Sequence, residues 1–484
     1  MPNSAIATAA PAQSETRQRL APVFLSTYAV LLIAAGLTQI TDPFMHYDDY
    51  PALLLDPEGY YSKTLSEGRW INYLWHLRSI ETPATMNYQL YFIGWALFVS
   101  AAALNIFRTA HLKYPALLAA LLVVGPQTTL ISGWFNSLIP GMWLLAFYGV
   151  TALFISPRAN LVLLFLMVPV GLQAYTPYPF LMLAILLLRQ DQTRSLGTLL
   201  GTMLVFAASF AVGILVIYSL NYAFHGVFGL ALADWRDPNP ATGLAGYVAN
   251  LSKVGESLAW TYAMSGFGKP ALSAILAAAF LASLAVIGRK SPAEVLYVLT
   301  GIAAGLGLLS LHALMEGILF PFRSTYFLWF LVAIALMRAV FLLETDGKRK
   351  TSATLALAAI LAVSMGSMVR VHNQSFAAWQ VETRDLAARI SSAAPEVFIY
   401  GSYLTLNGYG ASRAQMPRDL QFRLGHLTGI PTRMCTEAPA ECANAAPPFD
   451  PPRTGDALLV MNEPRGTFIR LPVTDEPVGA GQTR

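Results

Sequence analysis

From Leu20 to about residue 370 the chain repeats one pattern: an apolar run of helix-spanning length, then a short polar break. The runs fall near 20–40, 87–107, 114–131, 138–156, 160–174, 179–189, 196–221, 270–288, 293–312, 325–344 and 352–369. A helix needs about 20 apolar residues to cross a hydrocarbon core of about 30 Å. The pattern predicts a polytopic α-helical membrane protein with about eleven transmembrane helices. Several runs, such as 160–174 and 179–189, are short or interrupted by proline.

The pattern changes after residue 370. Phe376, Trp379, Leu386 and Ile390 make a helical stripe, and Val397-Phe398-Ile399-Tyr400 reads as a strand ended by Gly401-Ser402. Leu458–Met461 and Thr467–Ile469 are further strand candidates. This predicts a small C-terminal α/β domain over 371–484, after a polar tail at 1–18 and a membrane domain at 19–370. A loose Pro- and Ala-rich stretch lies near 438–453.

Composition agrees. The 484 residues are 55% hydrophobic and 12% charged, about half the charged share of soluble domains. The net charge of +4 matters less than its placement. Arg17 and Arg19 precede the first run. Arg108 and Lys113, Arg158, Arg189 and Arg194, Arg289 and Lys290, and Lys348, Arg349 and Lys350 occupy alternate connections. Asp42, Asp48, Asp49, Asp56, Glu58, Glu67 and Glu81 gather on the opposite side. The positive-inside rule then predicts an inner-membrane protein with a cytoplasmic N-terminus and a periplasmic C-terminus. No basic run with interleaved aromatics points to nucleic acid. Cys435 and Cys442 both fall in the outer domain, where an oxidising compartment favours a disulfide over two free thiols.

Candidate chemistry sits on two long outside loops, 41–86 and 222–269. The first carries His46, Asp48 and Asp49, then Gly68-Arg69-Trp70. Adjacent carboxylates at a low-dielectric boundary can split their pKa values and suit a general base acting on a sugar hydroxyl. The pair could also hold a divalent cation with His46, or be a solvated acidic loop. Arg69 and Arg323 are suited to clamping a phosphate; the alternative is snorkelling to lipid headgroups. Trp134, Asn136, Tyr175, Tyr178 and Trp235 could stack on sugars or anchor the interface. His312 reads as a helix-end histidine or a proton relay. No phosphate-cradling glycine loop, nucleophile elbow or dinucleotide fingerprint is present.

The acidic pair Asp48-Asp49 after the first helix, Gly68-Arg69-Trp70, Gln173-Ala174-Tyr175, and the Asn373…Asp385…Ile390 and Tyr400-Gly401 features together resemble the phage-type O-antigen glucosyltransferases. More broadly they resemble the GT-C superfamily of membrane glycosyltransferases. The resemblance covers most of the chain through short motifs. It implies transfer of a sugar from a polyprenyl-phosphate donor to a lipid-linked or cell-surface glycan on the periplasmic face, with Asp48 or Asp49 as base. Asp42, His46, Arg69, Trp70, Gln173, Tyr175 and Arg323 become candidate substrate contacts, and no cofactor beyond a divalent cation is implied. Two other classes compete: a flippase or transporter of lipid-linked glycans, and a glycan polymerase or ligase. A transporter would want internal repeats and acids within its spans, and neither is evident.

Overall fold

The computed structural model describes residues 13–345, 350–408, 417–443 and 445–473. The tail at 1–12 and the cations Lys348 and Arg349 lie outside them. The chain divides into two compact units: residues 1–34 with 51–368, and residues 35–50 with 369–484.

Among the described residues, nine helices are long and apolar enough to cross a bilayer: Glu15–Thr41, Ala84–Ile106, Pro126–Phe154, Pro157–Ala174, Leu196–His225, Pro270–Lys290, Pro292–Glu316, Phe322–Thr345 and Ala353–Ala388. The chain is therefore a multi-pass helical membrane protein. Two of the predicted runs form the shorter helices Lys113–Val123 and Tyr178–Leu188. At 1.5 Å per residue each is only about half as long as the bilayer core is thick. All residues of Tyr178–Leu188 are buried, so this helix meets protein on every side.

Two boundaries move. The break predicted around Trp134 falls instead at Val124-Gly125, ahead of Pro126, which starts the next helix. Trp134 and Asn136 are consequently buried within a helical run, and Asn136 accepts a hydrogen bond from the Asn87 side chain at 2.8 Å. Interfacial anchoring does not describe them.

The loop expected at 222–269 contains a 23-residue helix, Gly243–Ser265. Its polar residues Asn250, Ser257 and Thr261 are buried, while Leu244, Val248, Leu251, Leu258 and Tyr262 are exposed. Asn250 donates to the Leu314 carbonyl at 3.0 Å, and Ser257 accepts from the Phe320 N–H at 3.1 Å. The apolar face thus points outward. Lys253, Glu256 and three glycines break the apolar run that would have marked this segment as helical.

Several rim cations are committed to ion pairs. Arg189, fully buried, meets Asp191 at 2.6 Å, and Arg108 reaches the same carboxylate at 3.0 Å. Glu294 receives Arg338 at 2.6 Å and Arg194 at 3.3 Å.

The second unit has a four-stranded sheet: β1 (Val397–Tyr400), β2 (Thr432–Met434), β3 (Leu459–Glu463) and β4 (Gly466–Arg470), in the order β2-β1-β4-β3. β1 runs parallel to β2 and β4, with Val397 opposite Thr432 and Thr467; β3 and β4 form an antiparallel hairpin. The helix Pro417–Thr428 makes the crossover that a parallel β1–β2 pair requires. Val397, Ile399, Leu420, Leu424, Met434 and Ile469 form the core with Trp379 and Leu386. Phe44 joins that core, stacked on Phe376 at 4.2 Å. Residues 35–50, read from sequence as the end of a span and the start of a loop, are part of this domain. Gly36 breaks the first helix with φ +72, and a Cβ there would lie 2.1 Å from the Asn373 side chain. Cys435 and Cys442 are joined by a disulfide, with Cα atoms 5.5 Å apart.

Candidate functional site

Within the first unit, the chemistry gathers around one turn. The helix Glu58–Glu67 ends at Gly68, whose left-handed φ of 68 returns its N–H to the Thr64 carbonyl. The next helix starts at Trp70. The reversal sets Glu67 and Arg69 side by side, and their side chains form an ion pair. Arg236 closes on the other carboxylate oxygen at 3.1 Å. Burial would raise the Glu67 carboxyl, but Arg69, Lys63, Arg236 and Arg323 outweigh it and hold it at about 2. Among these, three guanidinium groups act on one carboxylate.

The other contacts fix this geometry. Trp70 Nε1 donates to Asn221 Oδ1 at 2.9 Å, and Asn221 in turn donates to the Leu65 carbonyl at 3.2 Å and to that of Gly229. The loop carrying Arg236 is thereby tied to the helix carrying Glu67. Asn72 donates to the Ala174 carbonyl at 2.9 Å, which brings Tyr175 under Arg69, with the guanidinium 5.3 Å from the ring centre. Arg323 lies 4.7 Å from the centre of the Trp134 ring. Arg69 and Arg323 thus share one charge cluster, with Tyr175 and Trp134 as their aromatic faces. Trp70 is 6% exposed and acts through packing and its bond to Asn221. Gln173 gives its amide to the Pro169 carbonyl at 3.0 Å.

Behind this cluster, His76 stacks on Tyr60 at 4.0 Å. Its Nδ1 is 2.7 Å from the Asn72 carbonyl. A carbonyl only accepts, so Nδ1 carries the proton and Nε2 the lone pair. Burial pushes the His76 pKa down to about 4. It is neutral at pH 7 and adds no further charge beside the arginines.

The remaining predicted residues belong to the second unit. Asp48 and Asp49 occupy one short 3-10 turn, Tyr47–Asp49. Asp49 is fully buried and Asp48 half-buried. The turn is held by Asp419, whose carboxylate accepts the Tyr47 N–H at 2.6 Å. His46 is buried against Phe44, ring to ring at 5.1 Å. Asp42 is paired with Arg423, through Nη1 at 2.7 Å and through Nη2, and Arg384 approaches at 3.4 Å. Among the described residues no group of three or more His, Cys, Asp or Glu side chains converges as a metal would require.

Sequence reasoning passed over Lys63, Tyr60, His76 and Arg236 as site residues and counted Glu67 only among the outer acids. Arg236, in Asp234-Trp235-Arg236, lies 169 residues from its partner, and no local spacing marks such a pair.

Gly68→Ala is expected to cost about 1–2 kcal/mol of stability from its left-handed conformation. The added Cβ would also lie 2.7 Å from Ile217 Cγ2. Thermal unfolding in detergent would measure this loss. A companion Ile217→Ala substitution should relieve the clash but not the backbone strain.

No family model matches this chain, and no curated protein matches it.

Proposed function

We propose that the chain is a membrane glycosyltransferase. It takes a sugar, a hexose on this reading, from a polyprenyl-phosphate donor and passes it to a glycan or glycolipid acceptor. What supports this is the charge imbalance around Glu67: the guanidinium groups of Arg69, Arg236 and Arg323 act on a single carboxylate. Excess positive charge away from water is costly unless paired, and a phosphate or pyrophosphate group offsets it. Guanidinium forks match phosphate oxygens two at a time. A lipid-linked donor also accounts for a chain that is mostly membrane helix and carries no nucleotide-binding motif. Eleven crossings, an inner-membrane location, a cytoplasmic N-terminus and a periplasmic C-terminus belong to the same proposal.

In the reaction, the acceptor hydroxyl attacks the anomeric carbon as the bond from that carbon to the phosphate oxygen breaks. The polyprenyl phosphate leaves with the bonding electrons, and the arginines stabilise its growing charge. The hydroxyl proton goes to a carboxylate. Asp48, half-buried, takes that role in preference to the fully buried Asp49.

Arg323→Ala should raise the apparent requirement for the lipid donor about 10- to 100-fold, the equivalent of about 1.5–3 kcal/mol for a charged hydrogen bond. Arg323→Lys should recover only part, because an ammonium cannot make the planar fork. Titration of a synthetic polyprenyl-phosphate glucose against the purified variants measures both. Unchanged donor dependence in Arg323→Ala would return this residue to a packing role against Trp134.

A further inference from the structure

The second unit carries a groove of its own. It is open, encloses about 600 Å³, and runs along the helix Ala377–Ala388 and the turn before it. That turn, Val371–Phe376, is wound as a π-helix, a rare geometry that often marks functional positions. Asn373 and Gln374, on that turn, line one end of the groove; Val381, Asp385 and Arg389 continue along it, and Asn407 borders it.

The wall at Asn407 is built. Glu382 accepts the backbone N–H groups of Asn407 at 3.2 Å and Gly408 at 2.5 Å. Gly408 packs so closely on the helix that a Cβ would lie 2.6 Å from the Trp379 Cα. Only glycine allows this approach. Glu382 is spent on the wall, whereas Asp385 and Arg389 are exposed and their side chains make no hydrogen bond or ion pair among the described residues. They lie one helical turn apart, yet each is available to a ligand.

This lining selects a class of ligand. The two free charges cancel, which disfavours a phosphate or a strongly charged peptide. Amide, carboxylate and guanidinium groups each present coplanar polar atoms that can bind neighbouring hydroxyls in pairs. Ala377, Ala378, Val381, Leu386 and Leu458 supply apolar surface on which the C–H faces of sugar rings can lie. We propose that this groove binds a neutral oligosaccharide and is the acceptor-recognition site of the second unit, an assignment that rests on the glycosyl-transfer reading.

The test is saturation-transfer NMR on the full-length protein in detergent, with neutral tetrasaccharides of glucan, mannan and rhamnan type and no donor present. At least one should bind with a Kd near 1 mM. Asp385→Ala and Arg389→Ala should each weaken binding about tenfold, the loss of one charged hydrogen bond. Val381→Trp should block this apolar surface, while Arg69→Ala should leave binding intact. Absence of a signal from all the sugars, or binding unaffected by the three groove variants, overturns the site. The glycosyl-transfer reading is judged separately: if sugars bind at the groove but no transfer from the lipid donor occurs, that reading fails while the groove stands. If transfer proceeds and the groove variants change neither sugar binding nor acceptor KM, the reverse holds.

Discussion

Asp48→Asn should lower the rate of sugar transfer by about 10²–10⁴-fold, the usual contribution of a general base. Asn nearly matches Asp in shape but cannot take a proton at neutral pH, so folding and donor affinity should stay close to wild type. The neighbouring substitution gives the contrast. Asp49 is fully buried on the same 3-10 turn, so Asp49→Asn should show mainly a stability loss, with a smaller effect on turnover. Transfer from polyprenyl-phosphate glucose by each purified variant separates the two. If a divalent cation bridges the pair, both variants should fail and chelation should mimic them. Wild-type turnover in both single variants and in the double variant would show that the turn is structural, and the base would have to be sought elsewhere.

Arg423→Ala should destabilise the second unit by about 3 kcal/mol or more, because it leaves the Asp42 carboxylate without its main partner. Arg423 is 3% exposed, makes two contacts to Asp42, and donates through Nε to Thr383 Oγ1 at 3.2 Å. Removing both charges together, as Asp42→Asn with Arg423→Met, should recover much of the loss, since neither charge is then stranded. Hydrogen exchange across β1 and the helix Pro417–Thr428 would register the difference. Donor affinity is the discriminating readout. If Asp42 only holds this domain together, Asp42→Asn changes stability and leaves the donor requirement alone. A donor requirement that rises in a variant of normal stability would restore Asp42 as a substrate contact.

The candidate phosphate cluster was partly legible. Arg69 stood out because a planar guanidinium on an outside loop is suited to clamping a phosphate, with headgroup snorkelling as the alternative. What the turn at Gly68 accomplishes was not legible: it reverses the chain so that Glu67 and Arg69 meet. Arg236 pairs with the same carboxylate, and Arg323 acts on it electrostatically, each from a distant segment. The helix Gly243–Ser265 was invisible for another reason. Lys253, Glu256 and three glycines interrupt the apolar run by which a membrane helix is recognised.

The sequence by itself determined most of the membrane helices and the location of β1, β3 and β4. Those follow from local physics: an apolar run must satisfy its own backbone hydrogen bonds in lipid, and β-branched and aromatic clusters between turn residues favour strands. Tertiary structure alone decided which segments form each unit and which charges pair. Phe44 draws residues 35–50 into a core completed more than 300 residues later, and Asp42 finds Arg423 at a separation of 381 residues. Such pairings depend on burial, which makes an unpaired charge costly, and burial exists only once the chain has folded.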